Sequence, residues 1–205
     1  EMNRVGIMVD ISHVDDDTFY QVMELSKAPA IASHSSCRFF TPGFERNMSD
    51  DMIKALGAKG GVIQINIGSS FLDSAVVQAN KANTEKLNAM LKEAGLTEGD
   101  ADAKPLIEQF RKDNPKHYAT VAKVADHIDH VVELAGIDHV GIGTDFDGVG
   151  DSLPTGLKDV SAYPNLIFEL LKRGYSDEDI EKICSKNLFR VWNKVAEVAS
   201  QLQAN

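Results

Sequence analysis

Four short apolar runs, each ending in polar residues and each followed by a helical pattern, constrain this chain more than any other feature. The first occupies residues 5–9 of "VGIMVDISHVDDD" and leads into a helical pattern over about 16–26, with Phe19, Val22, Met23 and Ser26 on one face. The second lies in "APAIASHSS" and is followed by a loop and a capped helix, "SDDMIKALGAKG". The third is "GGVIQINIGSS" and the fourth "DHVGIGTDFDG". Each run has roughly four to six residues, apolar on both faces and flanked by Gly, Ser or Asp, as expected of parallel strands covered by helices. The first and fourth share V-G-I-x-x-D before an apolar residue. That echo suits a (βα) repeat, and the alternation implies an α/β sheet, open or closed into a barrel.

About 70 residues separate the third run from the fourth, far more than one βα connection needs. They hold a polar helix, "AVVQANKANTEKLNAMLKEAG", stopped by Gly95, then a polar stretch. An apolar-spaced helix follows in "YATVAKVADHIDHVVELAG", stopped by Gly136. The middle of this segment, about 73–116, reads as a helical surface elaboration of a single domain spanning 1–205. Beyond the fourth run a helix ends at Gly174, and Ser176 with Asp179 fits a capping box. The closing helix carries "NLFRVWNKVAEVA", whose Leu188, Val191, Trp192 and Val195 form a stripe expected in the core.

Charge narrows the partners. With 21 Lys+Arg against 31 Asp+Glu the net charge is −10, and no basic stripe is available for nucleic acid or an anionic membrane. An apolar fraction of 43% and a charged fraction of 25% belong to a soluble globular protein. No run is long enough to span a bilayer, and no signal peptide is visible. Cys37 and Cys184 form no CxxC pattern, so neither a disulfide framework nor a thiolate metal site is expected.

The chemistry gathers at strand ends. His13 follows the first run, His34 the second and Asp145 the fourth. In parallel α/β folds the carboxyl ends of the strands open on one face, where sites are built. Neutral imidazoles suit Zn²⁺, and a carboxylate can ligate the ion or move protons for it. Taken singly, each has a plainer role, since a loop histidine is often structural and Asp commonly caps helices. Asp10 and the acidic run need only local roles at the strand end and helix start, with Ser12 or Asp15 as cap. Arg46, on the loop after His34, is either a surface partner of nearby acids or a fork for a substrate carboxylate. His127 and His130 lie three apart on one helical face, where a metal pair is geometrically possible, but their apolar setting favours packing or surface roles. His117 and His139 read as helix-start and strand-start residues, and Asp147 with Gly148 as the turn after Asp145.

"DISH", "SHSS" 21 residues later, "RN", "VADHIDH", "GTDFDG" and "NLFRV" together resemble the membrane (renal) dipeptidases, the M19 metallopeptidases of the amidohydrolase superfamily. The resemblance covers nearly the whole chain apart from roughly 73–116. It implies a metal-dependent-hydrolase (β/α)₈ TIM barrel with a binuclear zinc site. His13 and His34 match the two histidines that hold one zinc, at the ends of the fifth and sixth strands. Asp145 matches the aspartate that ends the eighth strand, contacts substrate and handles protons. Arg46 matches the arginine that binds the dipeptide's terminal carboxylate, although the loop from His34 is one residue longer than in the mammalian enzymes. Phe71 falls where those enzymes place a substrate-contacting tyrosine.

The family's His-x-Asp pair for the other zinc, its bridging glutamate and a catalytic histidine lie earlier in its sequence than the first run here. The expectation is therefore the C-terminal half of the barrel, strands five to eight, which needs an N-terminal half to be active. The expected activity is hydrolysis of dipeptides, with a homodimer as the assembly and a cytoplasmic or periplasmic location left open. The competing readings are another binuclear amidohydrolase, acting on acylamino acids, lactones or phosphoesters, and a non-catalytic relative. A doubly wound nucleotide-binding sheet is weaker, because neither GxGxxG nor a P-loop occurs.

Overall fold

A computed structural model describes residues 1–204. In chain order the elements are α1 (Met2–Val5), α2 (Asp16–Leu25), β1 (Ile31–Ser35), α3 (Asp50–Ala58), β2 (Val62–Ile65), α4 (Ser69–Leu72), α5 (Ser74–Glu93) and α6 (Ala103–Asp113). They continue with α7 (Val121–Ala135), β3 (Val140–Ile142), α8 (Tyr163–Lys172), α9 (Asp177–Glu181) and α10 (Asn187–Gln203). The strands form a parallel three-stranded sheet in the order β1-β2-β3, with helical crossovers between neighbours. None of the described helices is long and apolar enough to cross a membrane.

The expected first strand is the main correction. Residues 2–5 coil into α1, which packs against α10, and Gly6 ends the turn at φ 79°. What remains is a single parallel bridge between Asp10 and Ile31. Ile31 N–H donates to Val9 O at 2.9 Å and Ile11 N–H to Ile31 O at 2.8 Å. The run has a neighbour on only one side, and α1 takes its first residue, so too few residues are left for a ladder. Its direction is still that of a strand, and it delivers residues 10–13 to the same end of the sheet as β1. The fourth run is also shorter than expected, with three paired residues.

Side chains alternate across the sheet. Ala30, Ala32, Ile63 and Ile65 join one core with Phe19 of α2, Leu56 of α3, Ile128 of α7 and Leu166 of α8. Ile31 and Val62 face the other way, against Val191, Val195 and Val198 of α10. The α10 stripe holds except at Trp192, which is 53% exposed and stacks on Phe189. A helix exposing four apolar positions per two turns can bury only those within its contact arc, and Trp192 falls outside it.

Local chemistry explains the helix ends. Asp15 caps α2 by accepting from Thr18 N–H, Ser49 caps α3 from Met52 N–H, and the Ser176–Asp179 capping box is formed in full. The "NLFRV" stretch works as a clip. Asn187 donates to Ile137 O at 2.7 Å and Val140 O at 2.8 Å. Arg190 donates to Gly60 O at 2.6 Å and Asp138 O at 2.7 Å, so α10 secures the entries of β2 and β3. Helices α5 and α6 bury Leu87, Leu91, Ala103 and Ile107 in a small core of their own. Asn80 clasps the far end of the segment, donating to His117 O at 2.9 Å and accepting from His117 N–H at 2.8 Å.

Candidate metal centre

His13 and His34 meet at the carboxyl end of the sheet. Their Nε2 atoms are 2.9 Å apart, with ring centroids at 4.9 Å and planes tilted by 57°. His13 sits on the turn after Asp10, and His34 lies on β1 where the ladder slips. Ala32 pairs with Ile63 but Ser35 with Ile65, so β1 carries one residue more than β2 over the interval. Such a bulge bends a strand and re-aims its side chains, a common device beside sites.

A network of hydroxyls and a carboxylate underlies the His34 ring. Asp10 Oδ1 accepts from Ser12 N–H and Ser33 N–H, each at 3.0 Å, and Asp10 Oδ2 accepts from the Ser33 hydroxyl at 2.5 Å. Ser33 Oγ lies 2.7 Å from His34 Nδ1, and the Ser12 hydroxyl oxygen accepts from His34 N–H at 2.9 Å. Partial desolvation against the sheet pushes the Asp10 carboxyl up, but the Ser33 and Ser12 donors outweigh it and hold it below its ordinary range. Burial first, and then the Arg46 guanidinium, hold the His34 imidazole below its usual value, which keeps it neutral.

Arg46 reaches the same corner from the loop after β1. Its Nη2 donates to His34 O at 2.8 Å and to His13 Nε2 at 3.3 Å, while its Nη1 is buried without a partner among the described residues. The guanidinium lies 5.5 Å from the Phe71 ring, which meets Phe44 edge-on at 5.2 Å. Asn47 fixes this loop by donating to Phe71 O at 2.8 Å and Thr41 Oγ1 at 2.7 Å. Desolvation lowers the Arg46 pKa, and the Asp10 and Asp145 carboxylates act back against it.

Asp145 completes the group. It adopts φ 60°, in the left-handed region that few non-glycine residues enter, and its carbonyl accepts from Gly148 N–H at 3.1 Å. A Cβ at Gly148 would sit 2.1 Å from Asp145 Oδ1, so the turn requires glycine where the carboxylate folds over it. Asn66, buried at the end of β2, donates to Asp145 Oδ2 at 3.0 Å and accepts from Gly68 N–H at 2.8 Å.

All five residues singled out from sequence, His13, His34, Arg46, Phe71 and Asp145, therefore stand on one end of the sheet. Asp10, Ser12, Ser33 and Asn66 were missed. For Asp10 a signal existed: in the repeated V-G-I-x-x-D it occupies the position that Asp145 occupies in the second copy. His127 and His130 are elsewhere, on α7.

The donor set suits a borderline-soft dication. Two imidazoles converge through Nε2, and their separation is within a few tenths of an ångström of the ~3.3 Å between two nitrogens sharing one tetrahedral zinc. Among the described residues no group of three or more His, Cys, Asp or Glu side chains forms a metal cage. The imidazoles are a ligand pair.

A model of the membrane dipeptidase family (peptidase family M19) matches residues 1–205. The chain is 38% identical over 203 residues to the dipeptidase verJ of Clonostachys rogersoniana, covering 99% of this chain and 41% of that protein. An uncharacterised dipeptidase of Schizosaccharomyces pombe is 36% identical over 203 residues, with 98% and 39% covered. Among solved structures, the probable dipeptidase PvdM from Pseudomonas aeruginosa superposes with a TM-score of 0.74 at 31% identity, over 97% of this chain and 52% of that one. A metallopeptidase from Rhodobacter sphaeroides, liganded with a phosphinate mimic of the dipeptide L-Ala-D-Ala, gives 0.70 at 27% identity, over 95% and 44%. The chain thus spans about half, or less, of the length of these relatives. Matched from end to end by the family model, with the α/β fold of its solved members, this chain belongs to the membrane dipeptidase family, peptidase family M19.

Proposed function

We propose that residues 1–205 are the C-terminal part of one zinc-dependent dipeptidase barrel, with the bridged run around Asp10 in the fifth strand position, β1, β2 and β3 in the sixth to eighth, and the elaboration at about 73–116. The observation that carries this reading is the meeting of the His13 and His34 Nε2 atoms beside an Arg46 whose Nη1 has no partner among the described residues. The sequential parallel order of the strands and the fraction of each relative that is covered support the half-barrel. His13 and His34 hold one ion of a binuclear pair, and the other ligands come from the remainder of the protein. Bound zinc supplies Lewis-acid polarisation of the peptide carbonyl and an activated water.

The chain's own groups divide the rest of the work. Arg46 Nη1 takes the dipeptide's terminal carboxylate by a charge-assisted hydrogen bond and so measures substrate length. Phe71 flanks that guanidinium and offers no hydroxyl. Asp145 keeps Oδ2 on Asn66 Nδ2, and its Oδ1 takes a proton from the attacking water and passes it to the leaving amine nitrogen as the C–N bond breaks. Metal analysis of the full-length protein tests the reading. His13→Ala and His34→Ala are each expected to lose about one zinc per chain together with nearly all dipeptide turnover. Full zinc content in either variant would falsify the ligand assignment.

A further inference from the structure

We infer that Asp10 is a positioning residue for the metal centre, acting through Ser33 to fix the tautomer of His34. This rests on the reading of His34 as a zinc ligand. The argument is one of proton counting along the chain Asp10–Ser33–His34. A carboxylate can only accept, so the Ser33 hydroxyl spends its single proton on Asp10 Oδ2, at 2.5 Å. Ser33 Oγ then has only lone pairs for His34 Nδ1, at 2.7 Å, and that nitrogen must carry the ring proton. Nε2 is left as a bare lone pair, aimed at His13. Ser12 fits the same polarity: its oxygen accepts from His34 N–H, and its own proton points towards Ser33 Oγ at 3.3 Å. Arg46 can only donate, so its contact with His13 Nε2 at 3.3 Å makes that nitrogen an acceptor too. The His13 lone pair, held by Arg46 in the metal-free protein, lies 2.9 Å from that of His34, so an ion entering between the two rings displaces the Arg46 contact. This is the carboxylate–histidine–metal logic with a serine inserted between carboxylate and ring.

The polarity can be reversed without changing the shape. In Asp10→Asn the amide oxygen is claimed at the Oδ1 position, because the Ser12 and Ser33 N–H groups both need an acceptor there. The amide NH₂ then faces Ser33 Oγ, the Ser33 proton turns to His34 Nδ1, and the ring proton moves to Nε2, where it blocks the ion.

The test uses the full-length protein, with zinc affinity read by chelator competition and the His34 tautomer by imidazole ¹⁵N NMR of the metal-free form. Asp10→Asn is expected to weaken zinc roughly 10–100-fold and to shift the His34 proton from Nδ1 to Nε2, with an unchanged melting temperature of the metal-free form. Ser33→Ala, which breaks the relay without touching Asp10, should also weaken zinc, and in that background Asp10→Asn should cost little more. Wild-type affinity in Asp10→Asn, or effects of the two substitutions that simply multiply, would overturn the relay. Zinc retained by His34→Ala overturns the ligand assignment and the relay with it. Zinc lost from His34→Ala but kept at wild-type affinity by Asp10→Asn overturns the relay alone.

Discussion

The chain carries two histidine pairs, and they could hardly be used more differently. His127 and His130 are three residues apart on α7, a spacing that puts both on one helical face. His13 and His34 are 21 residues apart and come from different elements. Yet the distant pair converges, while the neighbouring pair is consumed by the fold. His127 accepts from Cys37 N–H on Nδ1 at 3.0 Å and spends Nε2–H on Leu72 O at 3.0 Å, so it straps the loop after β1 and helix α4 to α7. His130 lies 2.8 Å from Asp50 and stacks under Phe39 with centroids at 4.6 Å. Ligand capacity follows from which ring nitrogens remain uncommitted, and spacing along a helix does not decide that.

The sharpest way to break this comparison is to exchange the losses. His13→Ala in the full-length protein should abolish turnover while changing the unfolding free energy of the metal-free form by about 0.5 kcal/mol or less, because the side chain is exposed. His127→Ala should do the reverse. It leaves Cys37 N–H and Leu72 O buried without partners and opens a cavity, for a loss of about 2–4 kcal/mol in a urea titration, with zinc stoichiometry intact.

A pH titration of stability sharpens the same contrast. Burial drives the His127 pKa from its ordinary value of 6.5 to about 4, with Lys123 and His130 lowering it further against the raising effects of the Leu72 carbonyl and Asp126. The unfolded chain therefore takes up this proton first as pH falls. The stabilisation is fully present above pH ~6.5 and drains away towards pH ~4, for a total of about 3 kcal/mol. His127→Gln should flatten that slope, and an unchanged slope in the variant would remove His127 as its source.

Smaller effects come from the rims of the two regions. Arg46→Ala should raise KM for dipeptides roughly 10–100-fold with a lesser change in kcat, the magnitude of a lost charged hydrogen bond. An unchanged KM would favour a substrate without a terminal carboxylate. Asp50→Ala should cost only about 0.2–1 kcal/mol, since its link to His130 is partly solvated.

Much of this was readable from the residues. The alternating pattern located β1, β2 and β3, and the caps at Asp15, Ser49 and Ser176 were visible in sequence. His13, His34 and Asp145 drew attention because each interrupts an apolar run at its end, Arg46 because its loop follows His34, while Phe71 came from the family resemblance alone. The residues that escaped did so for physical reasons. Whether residues 5–9 form a ladder depends on neighbours that periodicity does not register. The bulge in β1 is a relation between two strands, so no reading of "IASHS" alone reveals it. Asp10 read as a residue with only a local role at the strand end, because its partner Ser33 is 23 residues away. Trp192 shares the apolar periodicity of its helix but not its contact arc.

The private core of α5 and α6 has a consequence for how length can vary in this protein. Leu87, Leu91, Ala103 and Ile107 satisfy one another, and the two hydrogen bonds of Asn80 to the His117 backbone close the segment where it returns to the sheet. A splice made between Asn80 and His117 would excise a finished hairpin and leave the sheet's own packing untouched. Such a hairpin is a graft point, and a bulkier or smaller cassette could be set there without disturbing the geometry of His13 and His34.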